Sequence, residues 1–215
     1  MIKILLIIGI GMWIFSIFGG NSMKLTKEEK KLVNKLNFDI DLLTELKKET
    51  KSELKQLPKI NEYAEVLDEF YDGIHSKCDE EKGKEIVKKL KNKFKNKGYL
   101  IFLFSGENDF SVAVIKGKDE LEILSYRRTD GINYGYENED IIKKISEWKD
   151  KYGISVIGCG RDWLEVKFNK LPSNLDAFAN EVYEFCPDSV DQGVGEVENL
   201  KLIIKEMNGV WLWWD

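Results

Sequence analysis

Two polar stretches carry the residue types that chemistry would need. Thr129-Asp130-Gly131-Ile132-Asn133-Tyr134 offers a carboxylate, an amide and a phenol. Cys186 to Gly195 offers a thiol at Cys186, carboxylates at Asp188 and Asp191, and an amide at Gln192. Both follow ordered elements, and loops held by a rigid scaffold commonly carry function. If they converge, Asp130, Asn133, Asp188, Asp191 and Gln192 would present oxygens to a hard cation such as Mg²⁺ or Ca²⁺, or paired carboxylates for acid–base work. The EF-hand spacing is absent, so no metal is assigned. Asp188, Asp191 and Gln192 have a competing use, bonding free backbone amides at the start of the next helix. Cys186 is the one nucleophile beside a helix end. That end is a C-terminus, whose partial negative charge raises a thiol pKa. A buried structural role is therefore expected for Cys186.

A third candidate is aromatic. Trp211, Trp213 and Trp214 lie in the run Val210-Trp211-Leu212-Trp213-Trp214. The run is short, bulky and nearly devoid of polar residues, which predicts an inner strand covered on both faces. Core is the expected role, and an aromatic ligand platform centred on Trp211 is the alternative.

Other classes of chemistry lack their residues. The single histidine, His75, nearly removes a His-based zinc site and weakens any Cys–His pair, and its polar surroundings place it at the surface. The three cysteines, Cys78, Cys159 and Cys186, show no CxxC spacing, and their odd number leans toward a reducing compartment. No GxSxG, P-loop or GxGxxG occurs, so no cofactor is expected. A net charge of −5 with mixed signs gives nucleic acid no electrostatic footing.

The elements that must position these loops follow from periodicity. A helix near Glu81–Lys97 is stopped by Gly98. Strands are expected at Tyr99–Ser105, Phe110–Lys116 and Leu121–Tyr126, with polar turns between them. A helix carries Ile141, Ile142, Ile145 and Trp148. Ile154–Cys159 and Trp163–Phe168 form a hairpin. Leu175, Phe178, Ala179, Val182 and Phe185 mark one helix, and Val197, Leu200, Ile203, Ile204 and Met207 the next, which ends at Asn208-Gly209. The order α-β-β-β-α-β-β-α-α-β predicts an α+β fold, with helices packed on a mainly antiparallel sheet.

Upstream, Thr26-Lys27-Glu28-Glu29 fits a capping box. Ile60, Tyr63, Ala64, Leu67, Phe70, Tyr71 and Ile74 fit a helical stripe, so residues 23–79 are read as a helical N-terminal part. Residues 80–215 form the α+β domain. Ile4–Phe18 is apolar and uncharged. It reads as a signal peptide, cleaved after small residues near Gly20 and Ser22, or as a membrane anchor. With flanking glycines it reaches about 17 residues, the lower limit of a span. Lys24, Lys27, Lys30, Lys31 and Lys35 follow it, which favours an anchor with the soluble part in the cytoplasm. Export to the periplasm or medium, or translation from Met23, are the alternatives.

The pattern FCPD-x-x-x-QG-x-G from Phe185 to Gly195, followed by a helix and WLWWD, resembles the DUF4253 domain family of uncharacterised bacterial proteins. KGYLIFLFS (Lys97–Ser105), DFSVAVIKGKDELEIL (Asp109–Leu124), TDGINY (Thr129–Tyr134) and the W-x-x-x-YG of Trp148–Gly153 extend the resemblance over roughly residues 80–215. It implies the domain and no reaction. With catalytic signatures missing, the expected function is a membrane-tethered binding domain for a protein partner, in one form an immunity-type protein that sequesters a toxin. The rival is an enzyme using the Asp-rich loops, with or without a divalent metal.

Overall fold

The structure, a computed structural model, describes residues 24–215 except 62, 64, 107 and 108. The apolar segment Ile4–Phe18 lies outside the described residues. Among the described residues no helix is long and apolar enough to cross a membrane.

Two helices, α1 (Lys27–Lys35) and α2 (Ile40–Thr50), open the fold. The capping box at α1 forms as expected: Thr26 accepts from the Glu29 amide, and Glu29 accepts from the Thr26 amide at 2.6 Å. Strands β1 (Leu54–Ile60) and β2 (Val66–Cys78), helix α3 (Glu80–Lys95) and strands β3 (Tyr99–Ser105) and β4 (Phe110–Lys116) follow. Then come α4 (Glu122–Arg127), α5 (Asn138–Tyr152), β5 (Ile154–Cys159), β6 (Trp163–Phe168), α6 (Leu175–Phe185), α7 (Val197–Met207) and β7 (Gly209–Trp213). The strands form one sheet in the order β1-β2-β4-β3-β5-β6-β7. Only the β3–β5 pair is parallel, so this is an α+β fold on a mostly antiparallel sheet.

The centre of the sheet follows from composition. β3 and β4 are mostly apolar and buried on both faces along their central residues, and side chains alternate along a strand. Phe102, Phe104 and Ala113 join one core with residues of α4 to α7. Ile101, Leu103, Val112 and Val114 join the other, with α1, α2 and α3.

Four expectations are corrected. The helical stripe from Ile60 to Ile74 is instead a β-hairpin. The Asn61 side chain accepts the amides of Tyr63 and Glu65 at 2.9 and 3.0 Å, forming the kind of side-chain turn that asparagine favours. The stripe also shares no single buried face: Val66 and Phe70 are more than half exposed, whereas Ile60 and Ile74 are buried. Leu121–Tyr126 is not a strand but enters α4. Glu122 accepts the amides of Lys118 and Asp119, and both Ile123 and Leu124 are buried, as on a helix packed into a core. β7 is an edge strand, paired to β6 alone; its outer cover is a turn, not a strand. Finally, Asn208 rather than Gly209 takes the left-handed position that ends α7, with φ 51°. Gly209 is needed for space, because a Cβ there would stand 2.1 Å from the Val166 carbonyl.

The sheet is weakest at its one parallel junction. β3 and β5 share a single registered pair, Leu103↔Gly158. Beside it, the Val156 amide donates to Glu120 Oε2 at 2.7 Å, and the Val156 carbonyl accepts from Lys91 of α3. Lys91 and Glu120 pair at 2.7 Å, with side chains 12 % and 5 % exposed. A buried ion pair thus stands where strand-to-strand hydrogen bonds would otherwise run. Glu120→Ala should lower stability by about 3–5 kcal/mol, because it strands the buried ammonium. Replacing both partners usually restores stability, but here the Val156 groups stay unbonded. Lys91→Met/Glu120→Leu should therefore remain about 1–3 kcal/mol below the natural protein. Urea denaturation measures both, and a double variant of undiminished stability would contradict this role.

Candidate functional site

The two polar loops do meet, and Asp188 joins them. Residues 131–136 form a tight loop around a short 3₁₀ turn, Ile132–Tyr134, closed by a Gly131–Tyr136 bridge. Residues Ser189–Val194 form a π-helical turn, a rare conformation that recurs at functional sites. Tyr134 donates its hydroxyl to Asp188 Oδ1 at 2.7 Å, and Gln192 donates to the same oxygen at 2.8 Å. The Asp215 amide donates to Asp188 Oδ2 at 2.9 Å. Burial pushes the Asp188 carboxyl up, but these donors outweigh it and hold it below the usual carboxylate range. The same bond pushes the Tyr134 phenol up to about 12. Asp188 therefore fastens the loop, the π-turn and the end of β7 together. It does not bond the amides at the start of α7.

The other candidates are dispersed. Asp191 accepts from Tyr183 at 3.0 Å, and Asp130 sits 3.5 Å from Arg161. Among the described residues no group of His, Cys, Asp or Glu is arranged to hold a metal. Cys186 is buried. Its sulfur lies 3.2 Å from the donating Trp213 amide, 3.0 Å from the Trp213 carbonyl and 3.0 Å from Ser189 Oγ, while Ser189 also donates to the Trp211 carbonyl at 3.3 Å. These two side chains thus satisfy the outward backbone groups of β7. Burial raises the Cys186 pKa, and it raises Cys159 to about 12 and Cys78 to about 11. Trp211 stacks on Trp213 at 6.1 Å and borders a separate groove of about 290 Å³ beside α7. Trp214 points to the other face, against Phe185 and Gly131; a Cβ on Gly131 would lie 2.9 Å from its ring.

A large opening, about 940 Å³, lies elsewhere, between the hairpin β1–β2 and the loops. The register of β1 on β2 slips on both sides of Pro58, and such bulges bend a hairpin. Tyr71 anchors the arm edge-on against Tyr126 of α4 at 4.7 Å. Ile60, Tyr63 and Val66 at the tip then face Asp130, Ile132 and Asn133 across the cleft. The floor carries His75, Ser105, Ser111 and Arg127, and Arg161 and Trp214 line one side.

Sequence reasoning missed this floor. His75 is half-buried rather than a surface residue. Its Nδ1 lies 3.2 Å from Ser111 Oγ, and burial, then Lys55, lowers its pKa to about 4. Arg127 ends α4, and it is 5 % exposed. The adjacent Arg127-Arg128 pair, just before Thr129, is the one signal the sequence offers for it.

The model of DUF4253, a domain of unknown function, matches residues 111–215. The family resembled in sequence is thus the family matched, and the match begins within β4 rather than near residue 80. No curated protein and no solved structure gives a match.

The Asp188 junction makes a pH-dependent prediction. A carboxyl whose folded pKa lies below its unfolded value of about 4 stabilises the fold above that pH, and the contribution is lost as pH falls. Asp188→Asn should cost about 1–3 kcal/mol at pH 7. The gap between variant and natural protein should narrow below about pH 4. Urea melts across that range check it, and a gap independent of pH would count against the junction.

Proposed function

We propose that the chain is a non-catalytic binding domain that receives a segment of a protein partner in the cleft beneath the β1–β2 hairpin. The observation that carries this reading is the cleft itself. Its mouth presents large apolar side chains, with Tyr63 66 %, Val66 58 % and Ile132 57 % exposed, and its floor is polar. Large exposed apolar side chains gathered around one opening suit an interaction site better than a solvated surface.

The rival enzyme reading draws less support. It needs Asp130, Asp188 and Asp191 in one cleft, and of the three only Asp130 lines it. Each has its own donor, and burial raises the thiols away from the reactive thiolate form. An immunity-type protein that sequesters a toxin is the specific form of binding domain we favour. Ile4–Phe18 would tether it to the membrane, with the folded part in the cytoplasm.

The test is capture from a lysate with the full chain as bait, with and without EDTA. A partner held in the cleft should be retained in EDTA and reduced at least tenfold by Ile132→Glu and by Val66→Glu. Leu202→Glu, at an exposed position on α7 away from the cleft, should leave capture unchanged. Equal capture by all of these variants would refute the reading.

A further inference from the structure

We infer that the floor of this cleft is an oxyanion site built on Arg127, taking a carboxylate or phosphate group of the bound ligand; the inference rests on the cleft being a binding site. Arg127 Nη2 donates to the Ser105 carbonyl at 3.2 Å, and the guanidinium lies 4.5 Å from the centre of the Phe104 ring. Its Nε is buried without a hydrogen-bond partner, and no carboxylate pairs with it among the described residues. Guanidinium stays charged in proteins, so Arg127 cannot escape burial by losing its proton. Buried charges are otherwise paired, because an unpaired one is expensive to desolvate.

Lys77 is taken by Asp109 and Arg161 by Asp130, which leaves Arg127 as the floor's unmatched cation among the described residues. One hydroxyl shares its face of the sheet: Ser111 stands opposite Phe104, with its Oγ 3.2 Å from His75 Nδ1. The Ser105 hydroxyl lies on the other face, accepting from Trp163 Nε1 at 2.9 Å. The carboxylates of Glu65, Asp162 and Asp215 also line the cleft, but all three residues are exposed at its rim, where water screens them. An oxyanion above Arg127 would meet guanidinium N–H donors and the Ser111 hydroxyl, a pairing that planar carboxylate and phosphate groups favour.

The chain's single histidine lies on this floor, so its imidazole NMR signals report on the cleft alone. The full chain is titrated at constant pH with inorganic phosphate, and separately with a tripeptide bearing a free C-terminal carboxylate and with its C-terminal amide. We expect a saturable shift of the His75 signals with phosphate, or with the free acid and not the amide; which arm responds identifies the source of the group. Arg127→Met should weaken that response at least tenfold. Arg127→Lys, which keeps the charge and loses the fork, should weaken it as well and serves if the methionine variant does not fold. Absence of any saturable shift, or equal affinity in the Arg127→Lys protein, would overturn the inference. Partner capture that still depends on Ile132 would then leave the binding-domain reading standing without it.

Discussion

The position of every wall of the cleft depends on the junction between β3 and β5. On one side of it lies the half-sheet β1-β2-β4-β3, and on the other β5-β6-β7. His75 and Ser105 come from the first half; Arg161 and Trp214 come with the second. The backbones touch at Gly158, where a Cβ would fall 2.8 Å from the Leu103 carbonyl. Further along, the Lys91–Glu120 pair takes over the bonding of Val156. Burial pulls the Lys91 ammonium down, and Glu120 pulls it back. A charged side-chain pair with specific geometry fixes the angle between the halves where a ladder of backbone bonds is lacking, and with that angle the width of the cleft.

Asp188 does comparable work at the far wall. Its bonds to Tyr134, Gln192 and the Asp215 amide hold Trp214 against Phe185 and bring the 131–136 loop to the rim. A carboxylate with this many donors is a positioning group, and its low pKa keeps it ionised at any physiological pH. The two polar stretches were legible as polar turns between ordered elements, since both combine turn formers with hydrogen-bonding side chains. That Asp188 would tie them together, while Asp191 turns to Tyr183, is a matter of three-dimensional direction that spacing along the chain does not encode.

The fold was legible where burial is complete. Tyr99–Ser105, Phe110–Lys116, Ile154–Cys159 and Trp163–Phe168 are strands as their apolar runs require. Legibility failed where apolar residues have another use. Val66, Leu67 and Phe70 keep helical spacing yet face solvent on a hairpin, so their pattern reports no core. Leu121 to Leu124 alternates as a strand would, but the Glu122 carboxylate binds the amides before it and turns the chain into α4. Arg127 was illegible for a related reason. Arginine is ordinarily a surface residue, and only its enclosure over Phe104 gives it meaning.

β7 closes the sheet with Cys186 and Ser189 occupying the backbone groups that face outward at Trp211 and Trp213. At the opposite margin, β1 carries Pro58, Lys55 and Lys59, residues that discourage further pairing. A ligand that binds by laying an extended strand along a sheet margin, as many peptide-recognition domains allow, finds no vacant ladder at β7 and a guarded one at β1. Binding in the cleft, as proposed, would thereby run through side-chain surfaces. Its specificity would lie in pocket shape and charge, and hardly at all in main-chain complementarity.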